Sequence, residues 1–138
     1  MQSHRSIWLL GALLIFSLML CLGAIPGEAN ALSERFGDKL LHALAYGFLC
    51  LLCYRGLNGT PRHRYAGSVS LIALFGLLDE GVQHFLPYRN ASLLDWCFDV
   101  GAACIVIGFL TLQARYTIEA DAVSDPLHDH QRESHHAK

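Results

Sequence analysis

Charge is scarce in this sequence: only 16% of its 138 residues are Asp, Glu, Lys or Arg, and 53% are hydrophobic. Soluble globular proteins carry about 25% charged residues, so the composition points to one small membrane domain. No basic stripe is present, which excludes a nucleic-acid surface. The formal net charge of −2 is unevenly spread, with five acidic and two basic residues from Glu119 onward. The rest of the chain is therefore close to neutral. Cysteine is odd in number, at five: Cys21, Cys50, Cys53, Cys97 and Cys104. An odd set lying in apolar runs argues against a disulfide framework. Cys50 and Cys53 have CxxC spacing, but apolar burial suppresses thiolate formation, and buried, unreactive thiols are expected. No internal repeat is visible, and no serine or cysteine stands out as a nucleophile.

What is there is a set of long apolar runs. Residues 7–25 hold nineteen positions without a charge, preceded by His4 and Arg5 and closed by Pro26-Gly27. Roughly 20 residues of helix cross a hydrocarbon core, so this run fits a first span. A signal peptide is the rival reading, since Ala29-Asn30-Ala31 satisfies the small-x-small rule. The run is long for a signal core and the basic flank is thin, so a retained helix is expected. Three further spans follow at about 39–55, 65–84 and 93–112. Pro87 breaks the chain between the last two, and Ser92 is placed to cap the fourth. The fold class expected is all-α: a four-helix transmembrane bundle occupying residues 1–118. Residues 119–138 are polar, include His128, His130, His135 and His136, and read as a disordered cytoplasmic tail.

Lys and Arg near the span ends set orientation. Arg5, Arg55, Arg62, Arg64 and Arg115 lie on one side, and Arg35, Lys39 and Arg89 on the other. The bias places both termini in the cytoplasm and the first and third loops outside, in a cell inner membrane.

The charge that remains is concentrated in residues 77–103, which hold Asp79, Glu80, Arg89, Asp95 and Asp99 with Gln83 and His84 between them. A charged side chain near the centre of a membrane helix costs about 2.5–3.5 kcal/mol on insertion scales, so such groups read as functional. At 100° per residue, Asp38 and His42 share a face of the second span, Asp79, Glu80 and Gln83 a sector of the third, and Asp95 and Asp99 a sector of the fourth. Small residues continue those sectors, which lets membrane helices approach closely. All three helices should bring these groups to one outward-facing mouth. Five carboxylates (Asp38, Asp79, Glu80, Asp95, Asp99) there face two firm cations, Lys39 and Arg89, with His42 and His84 titratable. Carboxylates in a low-dielectric place do not all ionise without partners.

The pattern Asp38-Lys39-x-x-His42-x-x-x-Tyr46, followed by Asp79-Glu80-x-x-Gln83-x-Phe85-x-Pro87-x-Arg89-x-x-Ser92-x-x-Asp95, resembles the VanZ-like family of small bacterial integral membrane proteins. The resemblance covers residues 38–108. Asp99 stands where that family usually has asparagine, and Ala102 where it usually has glycine. The resemblance implies a membrane domain of about four helices and a loose link to teicoplanin resistance; it brings no settled biochemical mechanism with it.

Two functions follow as expectations. In the first, the mouth binds or modulates a membrane lipid, a lipid-linked envelope component or an amphipathic antibiotic. Its ligand-binding residues are Asp38, Lys39, His42, Asp79, Glu80, Gln83, Arg89, Asp95 and Asp99. Arg89 grips an anionic group, since its fork bonds phosphate or carboxylate bidentately, and Asp95 orients it. In the second, the chain is an intramembrane enzyme acting on a lipid-linked substrate. His42, Glu80 and Asp95 are then the catalytic candidates, as general base or its orienter, and a divalent cation held by Asp79, Glu80, Asp95 and His42 would explain the carboxylate surplus. Oxygen-rich ligands of that kind suit Mg or Mn. An architectural alternative is that the charged groups pair only with one another and fix the helices in register.

Overall fold

The computed structural model describes residues 2–25, 38–87, 89 and 91–124, all of them helical or in short connections. Four helices run in order: α1 (Gln2–Gly23), α2 (Asp38–Gly56), α3 (Pro61–His84) and α4 (Leu93–Ser124).

Local chemistry explains where each begins and ends. α1 has neither proline nor an interior charge after Arg5, and it stops two residues short of Pro26, as expected where a proline disfavours helical geometry at its predecessor. α2 ends at Gly56, and its last turn closes with Leu57 N–H donating to Cys53 O at 2.9 Å. The Tyr54 carbonyl near that end accepts from Arg64 through Nε at 3.1 Å and Nη2 at 2.7 Å. The last carbonyls of a helix lack intrahelical donors, so an arginine from the next helix supplies what backbone cannot. Arg64 also lies 4.0 Å from the centre of the Tyr54 ring, which stacks on Tyr65 at 5.2 Å. α3 begins at Pro61, four residues before the expected start. Thr60 caps it by accepting from His63 N–H at 3.4 Å, and proline at the first helical position is preorganised for that geometry.

Within the unit Met1–Val106, α1 packs on α2 and α3. Ala12 and Phe16 are buried, and Phe16 stacks on Phe75 of α3 with ring centres 4.4 Å apart. At the other end of α1, Leu9 lies over Gly56, where an added β-carbon would stand 2.5 Å from Leu9 Cγ. The two helices therefore touch almost backbone to side chain, as small residues permit. α2 supplies most of the fully buried apolar groups: Tyr46, Leu49, Cys50 and Cys53. Cys50 Sγ donates to Ala103 O of α4 at 3.8 Å. All five cysteines are free; Cys50 and Cys53 are buried as expected, but Cys21, Cys97 and Cys104 are exposed.

Residues from Ile107 onward form a separate unit. Thr111 and Thr117 return their hydroxyls to Ile107 O and Gln113 O, at 2.8 and 3.0 Å. Such bonds to the carbonyl four residues back leave no hydroxyl unsatisfied on an apolar helix. The helix continues to Ser124, past both the expected end of the fourth span at 112 and the expected start of an unstructured tail at Glu119. No glycine or proline interrupts residues 109–124, so nothing in the sequence stops it. The four tail histidines, the Ala29-Asn30-Ala31 triplet and residues 26–37 as a whole lie outside the described residues.

Three helices are long and apolar enough to cross a membrane by length and composition: α1 over His4–Gly23, α3, and α4 over Leu93–Asp121. α2, expected as a span, is not among them. It carries Asp38, Lys39, His42 and Arg55 within nineteen residues.

Candidate functional site

The start of α2, the end of α3 and the start of α4 come together, as alternating helices joined by short connections require. The polar residues of these three ends meet in a chain of contacts. His42 Nδ1 lies 3.1 Å from Asp99 Oδ1, joining α2 to α4. Both residues are buried, Asp99 completely. One turn on along α2, Tyr46 donates its hydroxyl to Asp79 Oδ2 of α3 at 3.1 Å, and its ring stacks on His42 with centres 5.9 Å apart. Lys39 Nζ reaches Asp95 Oδ1 at 3.5 Å and lies 5.8 Å from the Phe98 ring centre. Glu80 of α3 accepts from the Ser92 backbone N–H just before α4. Trp96 Nε1 donates to Ala73 O at 2.9 Å, bonding α4 to α3 below the charged layer.

A close approach makes this possible. A β-carbon on Gly76 would stand 2.8 Å from Asp99 Oδ2 and 3.0 Å from Trp96 Cδ1. Only a residue without a side chain admits both groups of α4 to that stretch of α3.

Two carboxylate oxygens in the cluster, Glu80 Oε1 and Asp99 Oδ2, are buried and have no hydrogen-bond partner among the described residues. Buried polar atoms are nearly always bonded, so each such exception calls for an explanation. The remaining charges differ in burial. Lys39 is half exposed and Arg89 partly so, whereas Glu80, Asp95 and Asp99 are 9%, 6% and 0% exposed. Lys39 and Arg89 are thus the more exposed charges, a rim, and Glu80, Asp95 and Asp99 the buried ones, a floor; Asp79 is intermediate.

The residues expected from the sequence gather with few exceptions. Lys39, His42, Asp79, Glu80, Asp95 and Asp99 all join the cluster, and Gln83 is buried on the same end of α3. The side chain of Asp38 lies outside the described residues. Asp95 pairs with Lys39 rather than orienting Arg89, and among the described residues Arg89 forms no ion pair. Tyr46, which helical spacing sets beside His42 without giving it a role, holds Asp79. Trp96, which nothing in the sequence singles out, is a bonded contact between helices. Among the described residues, no three His, Cys, Asp or Glu side chains gather in a way that would hold a metal ion.

No family model matches the chain, and no solved structure matches it. An uncharacterized protein of the fission yeast Schizosaccharomyces pombe is 33% identical over 84 residues, which is 60% of this chain and 52% of that protein. The chain thus spans about half the length of the curated relative that it matches.

Proposed function

We propose that this chain is an integral membrane protein whose charged helix ends form a binding site for the polar head group of an amphiphile. The observation that carries this reading is an inverted distribution of polarity. Asp99, Asp95, Glu80, Gln83 and His42 are buried, while Leu14, Leu77, Phe85, Leu93 and Ile105 are 70%, 61%, 84%, 75% and 75% exposed. Soluble proteins rarely bury so many acids or leave so many large apolar side chains uncovered, whereas in a hydrocarbon solvent polar groups turn inward and apolar ones outward. α2 then becomes the fourth span. Its buried polar groups are tolerable because His42 meets Asp99 of α4 and Tyr46 bonds Asp79 of α3.

The orientation we propose sets both termini in the cytoplasm and the charged mouth outside. At the opposite end, Arg5 bonds Asn58 Oδ1 at 2.7 Å, Arg55 lies 5.3 Å from the Trp8 ring centre, and Arg64 covers Tyr54. Arginine mixed with Trp and Tyr suits the cytoplasmic interface. The VanZ-like resemblance supports the site's position; its bacterial, cell-envelope and glycopeptide associations gain nothing from a fungal relative.

The test is ligand retention by the full chain in lipid nanodiscs, read by native mass spectrometry after washing with unrelated lipid. A saturable amphiphile that Lys39→Ala with Arg89→Ala releases about tenfold more readily supports the reading, a loss expected for charge-assisted contacts. Equal retention by the variant sinks it.

A second reading, an intramembrane enzyme acting on a lipid-linked substrate, draws on the His42–Asp99 contact of 3.1 Å. A histidine oriented by a carboxylate is the arrangement of a general base. Turnover of lipid-linked substrates, with or without Mg or Mn, that His42→Ala or Glu80→Gln abolishes would favour it over simple binding.

A further inference from the structure

We infer that the head group this site takes is zwitterionic and enters ammonium first, its N–H donors meeting the floor carboxylates and its phosphate or carboxylate meeting the rim. The inference rests on the binding reading above and adds the ligand's chemistry. It joins three observations. The first is the difference in burial: Lys39 is half exposed and Arg89 partly exposed, whereas Glu80, Asp95 and Asp99 are at least nine-tenths buried. A purely anionic group would stop at the rim and be repelled from the floor; a purely cationic one would meet Lys39 and Arg89 first. A group with both signs matches both levels.

The second observation is the pair of orphaned acceptors. Glu80 Oε2 is occupied by the Ser92 N–H, but Oε1 is buried without a donor among the described residues, as is Asp99 Oδ2. Asp99 Oδ2 is pressed toward Gly76 and Trp96, which leaves Glu80 Oε1 as the atom with an unmet need nearer the connection that carries Arg89. An acceptor of this kind wants a donor, and a charged donor most of all. The third concerns what sort of cation fits. No three His, Cys, Asp or Glu side chains among the described residues gather to hold a metal ion. An ammonium needs no such shell: it donates singly to one or two oxygens and tolerates an irregular set of acceptors.

The same chemistry arises from a lipid head group of the phosphoethanolamine type or from a free zwitterion of that structure. Both are tested with the full chain in nanodiscs of inert matrix lipid. Wild-type protein is titrated with dioleoyl phosphatidylethanolamine, its N-methyl, N,N-dimethyl and N,N,N-trimethyl forms, and dioleoyl phosphatidylglycerol, with soluble phosphoethanolamine as competitor. Affinity should fall stepwise as N–H donors are replaced, reaching about a tenfold deficit for the trimethyl form and for phosphatidylglycerol. Glu80→Gln, which keeps an oxygen for Ser92 but turns the free atom into a donor, should reduce the preference to less than about threefold. Competition by soluble phosphoethanolamine would assign recognition to the head group alone; its absence together with the stepwise series would assign it to the lipid at the membrane surface. Equal affinity across the methylation series overturns the inference whatever the variant does. Binding of phosphatidylglycerol as tight as phosphatidylethanolamine also overturns it, while leaving the head-group site standing. Failure to retain any lipid overturns the binding reading itself.

Discussion

Asp99 Oδ2 rests against Gly76, so close that a single methyl group at position 76 would stand 2.8 Å from it and 3.0 Å from Trp96 Cδ1. The acid that completes the His42 pair is therefore held by an absence on the opposing helix. Gly76→Ala should force Asp99 and Trp96 outward and lower stability by about 1–3 kcal/mol, the usual range for overpacking a tight contact. Thermal unfolding in detergent measures this. Gly81→Ala is the control, since nothing lies within 4 Å of a β-carbon there.

Removing His42 leaves the Asp99 carboxylate buried without its ring partner. His42→Ala should cost about 3–5 kcal/mol, the range for breaking a buried pair. Asp99→Asn, which keeps an oxygen for the ring nitrogen but removes a charge, should be close to neutral. Combining Asp99→Asn with His42→Ala should recover part of the loss. Unfolding free energies of the two single variants and the double variant check this; a double variant as unstable as the sum of the two would show that the residues act independently.

Arg64 performs two tasks at the far end, capping the Tyr54 carbonyl and covering the Tyr54 ring. Arg64→Ala should destabilise the α2–α3 connection by about 1–3 kcal/mol, from hydrogen bonds to a charged group together with the ring contact. Arg64→Lys should restore little of it, because an ammonium cannot reproduce two bonds from one planar fork. Proteolysis between residues 56 and 61 in detergent provides the readout.

Orientation yields to labelling. In a cysteine-free background, Ala91→Cys, exposed in the connection before α4, should react with a membrane-impermeant maleimide in intact cells. Gly59→Cys should react only after permeabilisation. The reverse pattern would invert the proposed topology.

Much of this arrangement was legible in the sequence, and the illegible part has physical causes. Asp79, Glu80, Asp95 and Asp99 announce themselves because charge amid long apolar runs has few structural excuses. Their meeting with Lys39 and His42 follows from counting spans. Pairing does not follow, because it depends on how far each helix is rotated about its axis: Arg89 and Lys39 were both within reach of Asp95 on paper, and Lys39 takes it. Tyr46 and Trp96 are missed as bonding groups since aromatics in apolar runs look like packing or lipid contacts. The start of α3 was readable in Thr60-Pro61, a cap followed by a proline at the first helical position. The continuation of α4 to Ser124 was obscured by Arg115 and Glu119, whose polarity marks the end of an apolar run but not the end of a helix.

The Trp96 indole bonded to Ala73 O has a consequence for how this segment tolerates change. It fixes α4 against α3 at one height, and the Ser92 N–H on Glu80 and the Asp99 carboxyl on His42 depend on that same height. A single inserted residue between Ser92 and Trp96 would rotate everything beyond it by about 100°. Asp99 would swing off His42 while Ser92 stayed on Glu80. Length in this short stretch should be guarded more strictly than the identity of any one side chain, and indels there should be the least tolerated changes in the helices.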